Sequence, residues 1–460
     1  MLTFPKTLIV GLGKTGLSCV RFLSKQGMPI VVADTRTSPP GLAELQAEYP
    51  EVTLALGSFQ PEILKDVERI IVSPGVATSE PMIQTAIERG IPVIGDIELF
   101  AQELNKQPIP TIAVTGSNGK STVVSLLGAM AQIAGWQAGV GGNIGTPALE
   151  LLKPEYQLCI LELSSFQLET TYSLKPTAAV VLNISPDHMD RYLNLQAYSQ
   201  TKARIYNNTK IAIYNRDDPL VNAMATGAGT NAATGFQEPT TQIGFTLNIP
   251  QNHDYGIMQH QGEPWLVQGL QRLLPIAKLK LPGQHNVANA LVALALGYAV
   301  NMPLEAMLTA LQNYTGLPHR TQLVNTRNGV RWYNDSKGTN PGATIAALQG
   351  LHPKQDTAKA VLIAGGESKN ADFTELASVV AYTCRAVILF GRDASIIEAA
   401  LKDTAELIRA SDLAQAVQNA AHVAKAGDHV LFSPACASFD MFKNYEQRGE
   451  VFMQYVHDLD

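Results

Sequence analysis

The stretch Thr111–Thr122, TIAVTGSNGKST, reads as an apolar strand, a glycine-rich turn and the first residues of a helix that runs on as VVSLLGAMAQIAG to Gly135. Strand, glycine loop and helix in that order predict an α/β unit built on a mostly parallel sheet. The loop residues Gly116, Ser117, Asn118, Gly119, Lys120, Ser121 and Thr122 have the chemistry of a phosphate cradle. In such a loop backbone N–H groups surround the phosphates, a lysine neutralises their charge, and a Ser/Thr hydroxyl reaches Mg²⁺. The loop departs from G-x-x-x-x-G-K-[ST] at its first position, where Val114 stands.

Upstream, TLIVGLGKTGLSCVRFLSKQG (Thr7–Gly27) carries a second glycine loop, Gly11-x-Gly13-x-x-Gly16, and Asp34 follows at the end of the next apolar run. Strand, GxGxxG and helix with a later acid is the dinucleotide-binding pattern, in which the acid meets a ribose. Nothing in the loop selects nicotinamide. Apolar runs at Leu8–Val10, Ile30–Ala33, Val52–Leu56, Ile70–Val72 and Val93–Ile94 end near residue 97. That length predicts about half of a dinucleotide fold, enough for a nucleoside diphosphate.

The linker-like NKQPIP (Asn105–Pro110) precedes the P-loop strand, and further apolar runs follow at Leu158–Leu161, Ala179–Leu182 and Ile211–Tyr214. Short β-rich pieces fill Gln237 to about Leu281, then a helix begins in LPGQHNVANALVALALGYAV. After Gly316 a third series runs through GVRWYNDS, KAVLIAGG, AVILFG and DHVLFSPA. The expected fold is therefore α/β with three domains in series: a half-Rossmann-like unit over 1–97, a P-loop ATPase-like unit with a mostly parallel sheet over 98–316, and a Rossmann-like unit over 317–460.

Composition narrows the function. The 460 residues are 46% hydrophobic, and Lys+Arg 34 against Asp+Glu 40 leaves a net charge of -6. No basic stripe stands out, so nucleic acid is not an expected partner. Cys19, Cys159, Cys384 and Cys436 form no C-x-x-C pair, which argues against a zinc site or disulfide framework and fits a reducing compartment. No run has the length of a membrane span, and Met1 leads into a strand rather than a leader, so a cytoplasmic protein is expected. Two phosphate loops in series suggest that ATP drives a reaction on a substrate carrying its own nucleoside diphosphate. An NAD(P)-dependent oxidoreductase built on the first loop, or a nucleotide sensor without turnover, are the rivals.

The ordered motifs GGNIGTPAL (Gly141–Leu149), LELSSFQLE (Leu161–Glu169), DHMDRY (Asp187–Tyr192), GQHNVANA (Gly283–Ala290), GLPHR (Gly316–Arg320), NDSKGTN (Asn334–Asn340) and SPACASFDMFKNYEQRG (Ser433–Gly449) resemble those of the ATP-dependent Mur ligases of peptidoglycan synthesis. That family shares its shortened P-loop with folylpolyglutamate synthetases. The last two motifs are similar to those of the members that add D-glutamate to UDP-N-acetylmuramoyl-L-alanine (UDP-MurNAc-L-Ala). A family member adding another amino acid, or a folylpolyglutamate synthetase, is the alternative within the ligases.

The resemblance implies an acyl phosphate, formed by ATP on the substrate carboxylate and attacked by the amine of D-glutamate. It implies two Mg²⁺ sites, with Mn²⁺ as an alternative ion. Ser121 and Glu162 supply oxygen ligands to the first, as a hard cation requires. His188 resembles a ligand of the second, and Lys202 matches a lysine carried as an anionic carbamate. Taken alone Glu162 is a solvated strand end, but its place after a P-loop favours the metal role; without the resemblance His188 is a structural histidine and Lys202 a helix-surface lysine. The ATP site is implied to comprise Gly116 to Thr122 with Asn286 and Asn289 on the base, Arg320 on the γ-phosphate, and Asp335 and Lys337 on ribose and phosphate. Lys120, Glu162, His188, Lys202, Arg320, Asp335 and Lys337 form the implied catalytic set. Thr15, Gly16, Asp34, Thr35, Arg36, Ser73, Pro74, Gly75 and Asn143 are implied for the UDP substrate, and Thr339, Lys369, Ser438, Phe439 and Tyr445 for D-glutamate. A monomer is expected.

Overall fold

The computed structural model describes residues 6–59, 61–225, 241–281, 283–351 and 358–459. Met1 and the start of the β-rich stretch at Gln237 lie outside them. Three α/β sheets follow one another along the chain.

The first sheet comprises β1 (Lys6–Val10), β2 (Ile30–Asp34), β3 (Thr53–Leu56), β4 (Val67–Val72) and β5 (Val93–Gly95) in the order β3-β2-β1-β4-β5. All its pairings are parallel. The chain steps outward through β2 and β3, then returns to lay β4 beside β1. That reversal opens a crevice beyond the carboxyl ends of β1 and β4, where open α/β sheets bind ligands. The loop after β1 is the GxGxxG turn and the loop after β4 is Ser73–Gly75. Five strands exceed the single half expected from length: the first half is complete and two strands of a second are present.

The second sheet contains β6 (Thr111–Thr115), β7 (Ala138–Gly142), β8 (Leu158–Glu162), β9 (Ala178–Val181), β10 (Ile211–Asn215), β11 (Thr241–Phe245), β12 (Tyr255–His260), β13 (Glu263–Gln268) and β14 (Gln271–Pro275). Their order is β14-β13-β12-β11-β10-β9-β6-β8-β7, antiparallel only where β13 meets β12 and β14. The fully buried β6 lies between β8 and β9, so the P-loop leaves the middle of the sheet with neighbours on both sides. Glycine-rich β7 carries no sequence signature of a strand. Its glycines admit close backbone: a Cβ on Gly142 would lie 2.4 Å from the carbonyl oxygen of Glu162, its partner on β8.

The third sheet has β15 (Gln322–Arg327), β16 (Val330–Asn334), β17 (Ala360–Gly365), β18 (Cys384–Phe390), β19 (Glu406–Arg409) and β20 (His429–Phe432), ordered β15-β16-β20-β17-β18-β19. Its two edges, β15 and β19, are polar and largely unburied, which is why apolar runs alone did not reveal them.

Packing divides the molecule unevenly. Ile9 and Leu12 of the first unit, Ile97 and Phe100 of the helix Asp96–Leu104, and Ala113, Leu161 and Leu168 of the second belong to one apolar cluster. The third unit keeps its own clusters on the two faces of its sheet. It meets the second partly through polar contacts, among them Arg320 to Ser121 and Asn340 to Asn118. Among the described residues no helix is long and apolar enough to cross a membrane, and all four cysteines are free and buried.

Candidate active site

The P-loop owes its shape to two glycines. Gly116 (φ 147°) and Gly119 (φ 87°) take backbone conformations that side chains avoid, and a Cβ on Gly119 would lie 2.8 Å from Asn289 Oδ1. The loop is laced to the segment after β9. Asn183 Oδ1 accepts from the Asn118 N–H at 2.9 Å and its amide donates to the Asn118 carbonyl at 3.1 Å. Ser117 Oγ donates to the Ser185 carbonyl and accepts from the Ser185 N–H, both at 2.9 Å. Asn183 and Ser185 escaped the sequence reading, although they immediately precede the DHMDRY motif. Lys120 Nζ folds back onto the carbonyls of Gly116 (2.8 Å) and Ser117 (2.9 Å), and burial holds its ammonium below the ordinary lysine range.

Glu162 ends β8 beside the P-loop, buried at 3% exposure. Its Oε1 accepts from the Asn143 amide at 2.8 Å, whereas its Oε2 is buried with no partner among the described residues. A buried carboxylate oxygen without a donor is costly unless a cation meets it. Gly142 brings Asn143 there: its φ is 101°, and a Cβ would lie 2.4 Å from the Glu162 carbonyl oxygen. Among the described residues no three His, Cys, Asp or Glu side chains converge as a ready metal cage.

Lys202 corrects the surface expectation for a helix lysine. Asn194 caps the helix Leu195–Ala203 by accepting from the Ala197 N–H at 2.9 Å, and this helix turns Lys202 inward to 2% exposure. Its Nζ donates to Thr115 Oγ1 at 3.3 Å and lies 4.7 Å from the centre of the Tyr198 ring. Burial, reinforced by the charge of Lys120, pulls this amine well below the lysine range. His188 sits on a left-handed turn (φ 57°) with its ring 4.7 Å from that of Phe166, and burial lowers its basicity.

Three cavities share walls. One of about 320 Å³ is lined by Asn118, Gly119, Thr122, Asn286, Asn289, Arg320, Asp335 and Lys337. Asn289 donates to Asn286 Oδ1 at 3.3 Å from the next turn of the same helix face. Asp335 accepts from the Thr321 N–H (2.9 Å) and the Ser433 hydroxyl (2.7 Å), and burial pushes its carboxyl up to about 6. Burial likewise lowers the Lys337 ammonium to about 8. His285 lines the same cavity and was not anticipated.

A second cavity, of about 420 Å³, gathers Ser117, Lys120, Ser121, Asn143, Glu162, His188, Lys202, Thr339, Lys369, Ser438, Phe439 and Tyr445 from the second and third units. Arg320 and Lys337 line it too. Gly116 lines neither cavity; it lacks a side chain where a Cβ would lie 2.9 Å from Leu182 Cβ. Arg448, unanticipated, lies at 1% exposure behind this wall. It donates to the Ser336 hydroxyl and carbonyl and to the carbonyls of Cys436 and Ala437. Both loops that carry Lys337 and Ser438 are thereby held by one guanidinium.

The third cavity, of about 610 Å³, lies at the crevice of the first sheet and is lined by Thr15, Asp34, Thr35, Arg36, Ser73, Pro74, Gly75 and Asn143. Gly16 stands behind the wall rather than in it, because a Cβ there would lie 2.0 Å from the Gly11 carbonyl oxygen. Asp34 does not offer the free carboxylate that a ribose contact needs. Its oxygens accept from the N–H of Leu12 (2.8 Å), the N–H of Arg36 (2.9 Å) and the Arg36 guanidinium (2.6 and 2.8 Å). These donors hold its carboxyl down to about 2 despite the opposing effect of burial. Asp34 thus ties the glycine loop to Arg36, and the half-exposed Arg36 faces the cavity.

Comparison with known proteins finds relatives along nearly the whole chain. Residues 5–95 match the family of Mur ligase MurD-like N-terminal domains, 114–297 the Mur ligase middle domain, and 319–436 the Mur ligase glutamate ligase domain. The UDP-N-acetylmuramoylalanine–D-glutamate ligase of Nitrosococcus oceani is 54% identical, covering 98% of this chain and 96% of that protein. The enzyme of the same name from Marinobacter nauticus is 49% identical over 99% of this chain and 98% of its own. Among solved structures, the UDP-N-acetylmuramate-alanine ligase of Thermotoga maritima superposes with a TM-score of 0.61 at 18% identity, covering 98% of this chain and 99% of that one. MurF of Acinetobacter baumannii gives 0.60 at 16% identity, with 97% and 90% covered. At such identities these two report the fold alone.

Proposed function

The chain belongs to the Mur ligase family, and from that premise we propose that it joins D-glutamate to UDP-MurNAc-L-Ala in peptidoglycan precursor synthesis, with ATP converted to ADP and phosphate. The observation that carries this reading is the shared walls of the three cavities. Asn143 borders both the crevice of the first sheet and the central cavity, while Arg320 and Lys337 border both the central cavity and the one beside Asn286 and Asn289. A substrate gripped by its UDP at Thr15, Thr35, Arg36 and Ser73 would extend its carboxylate past Asn143 toward the end of ATP.

A carboxylate is a poor electrophile until it is phosphorylated. Transfer of the γ-phosphoryl group to the alanyl carboxylate would be assisted by Lys120 and Arg320, whose cations oppose the charge gathering on the moving oxygens. The D-glutamate amine then attacks the acyl carbon and phosphate leaves. Lys369, Ser438, Thr339 and the pocket wall at Phe439 and Tyr445 would hold the amino acid's two carboxylates. The bond from Asn340 to Asn118 of the P-loop would hold the third unit over the second and help keep water from the acyl phosphate.

Glu162 Oε2 and the Ser121 hydroxyl fit a first Mg²⁺, since a buried orphan carboxylate oxygen beside a P-loop hydroxyl suits a hard cation. His188 and a Lys202 carbamate would hold a second, and Mn²⁺ would serve in place of Mg²⁺. The bound ions would neutralise phosphate charge and orient the reacting oxygens. For Lys202, burial disfavours the ammonium, and the neutral amine is the form that adds to the carbon of CO₂, loses a proton and becomes an anionic oxygen ligand.

Phosphate release from purified protein with ATP, Mg²⁺ and UDP-MurNAc-L-Ala tests the proposal. D-glutamate is expected to be the best acceptor among D-Glu, L-Glu, L-Ala, L-Lys and meso-diaminopimelate; a better acceptor than D-Glu overturns it.

A further inference from the structure

We propose that Arg191 is a positioning residue that couples the wall of the UDP-substrate cavity to the turn bearing His188, and so sets where the reacting end of the substrate arrives; this rests on the functional reading above. Arg191 lies one turn beyond His188, and its N–H donates to the His188 carbonyl at 2.9 Å. Its side chain crosses to the first unit. Nη1 donates to the Pro74 carbonyl at 3.1 Å and Nη2 to the Val76 carbonyl at 3.3 Å. These two residues flank Gly75, and both line the UDP cavity.

The guanidinium is gripped from the other side as well. Nη2 donates to Glu169 Oε2 at 2.8 Å, and both side chains of this pair are 16% exposed. Tyr192 fixes the second carboxylate oxygen by donating to Glu169 Oε1 at 2.7 Å. The Arg191 guanidinium carbon lies 4.2 Å from the centre of the Phe166 ring, and that ring packs on the His188 imidazole. Phe166 and His188 line the central cavity. One side chain therefore contacts the walls of two cavities whose ligands must meet.

Only arginine serves this geometry. Its planar fork donates in three directions while its face stacks on an aromatic ring, which a lysine ammonium cannot reproduce. The joint between the two units does not depend on it. Glu98 of the helix Asp96–Leu104, which directly follows the last strand of the first sheet, accepts from the Tyr172 N–H (2.7 Å), the Ser173 N–H (2.8 Å) and the Ser173 hydroxyl (2.7 Å), and the apolar cluster below is continuous. Loss of Arg191 should loosen the cavity wall while the units stay docked.

Steady-state kinetics of the full chain test this. In Arg191→Ala the KM for UDP-MurNAc-L-Ala is expected to rise about tenfold and that for ATP less than about twofold, the pattern of lost substrate positioning. Arg191→Lys should not restore it, added guanidinium ion should restore it in part, and Glu169→Gln should shift the same KM in the same direction. An unchanged KM for the UDP substrate in both Arg191→Ala and Glu169→Gln, or an equal rise for ATP, overturns the proposal. Should Arg191→Ala fail to fold, Glu169→Gln decides alone. Wild-type inactivity on this substrate would instead overturn the functional reading, and the relative affinity of wild type and variant for UDP would still decide the role of Arg191.

Discussion

The guanidinium of Arg320 donates to the hydroxyl of Ser121 at 2.6 Å, joining the third unit to the first turn of the P-loop helix. In the proposed mechanism both groups would have other work once ATP binds: the hydroxyl would face a metal ion and the guanidinium the γ-phosphate. The bond is thus a clasp between units that the nucleotide would replace. Arg320→Ala is expected to lower kcat by about 10²–10³, as loss of a donor aimed at developing charge does. Ser121→Ala should keep the clasp's partner free and raise the Mg²⁺ concentration for half-maximal rate. Initial rates of phosphate release across a Mg²⁺ titration separate the two.

Lys202→Ala removes the amine that would carry the carbamate. Activity is expected to fall to background and to return in part when formate or acetate is added, because a small carboxylate can occupy the vacated volume. Undiminished activity of the variant would show that no carbamate is needed.

Asp335 links stability to pH. Burial raises its carboxyl from about 3.8 to about 6 in the folded protein, so between those values the folded state binds more protons than the unfolded one. Stability contributed by this group is present below about pH 3.8 and lost as pH rises through about 6, by on the order of 3 kcal/mol at most. Ligand-free Asp335→Asn should therefore melt higher than wild type at pH 7, lack this part of the pH dependence, and lose ATP-driven turnover. A lower melting temperature for the variant at pH 7 would contradict the sign.

The two inner glycines of the first loop should differ. A Cβ on Gly16 meets the Gly11 carbonyl oxygen at 2.0 Å, whereas a Cβ on Gly13 meets nothing within 4 Å. Gly16→Ala is expected to destabilise by about 1–3 kcal/mol and to raise the KM for the UDP substrate. Gly13→Ala should leave the melting temperature unchanged. Thermal denaturation of both variants distinguishes packing from contact with ligand.

The parts of this protein that could be read along the chain are those in which neighbours in sequence are neighbours in space. TGSNGKST and GLGKTG carry their glycines, lysine and hydroxyls within one turn, and a strand before and a helix after leave such a loop only one use. Ordered motifs then placed Glu162, His188, Arg320 and Lys337, and all of them line the central cavity. Strands without an apolar run, β7 and the edges β15 and β19, were invisible because close backbone or an adjoining sheet, not their own side chains, holds them.

What the sequence determined by itself was the order of three α/β units, two phosphate loops and the family they belong to. What only the tertiary structure decided was the state of individual side chains. Asp34 lines the first cavity with its carboxylate held by Leu12 and Arg36. Lys202 was buried against Thr115, and Arg191 reached carbonyls 115 and 117 positions away. The reason is physical: burial, hydrogen-bond saturation and proton affinity are set by every group that packs around an atom, and those groups arrive from distant parts of the chain.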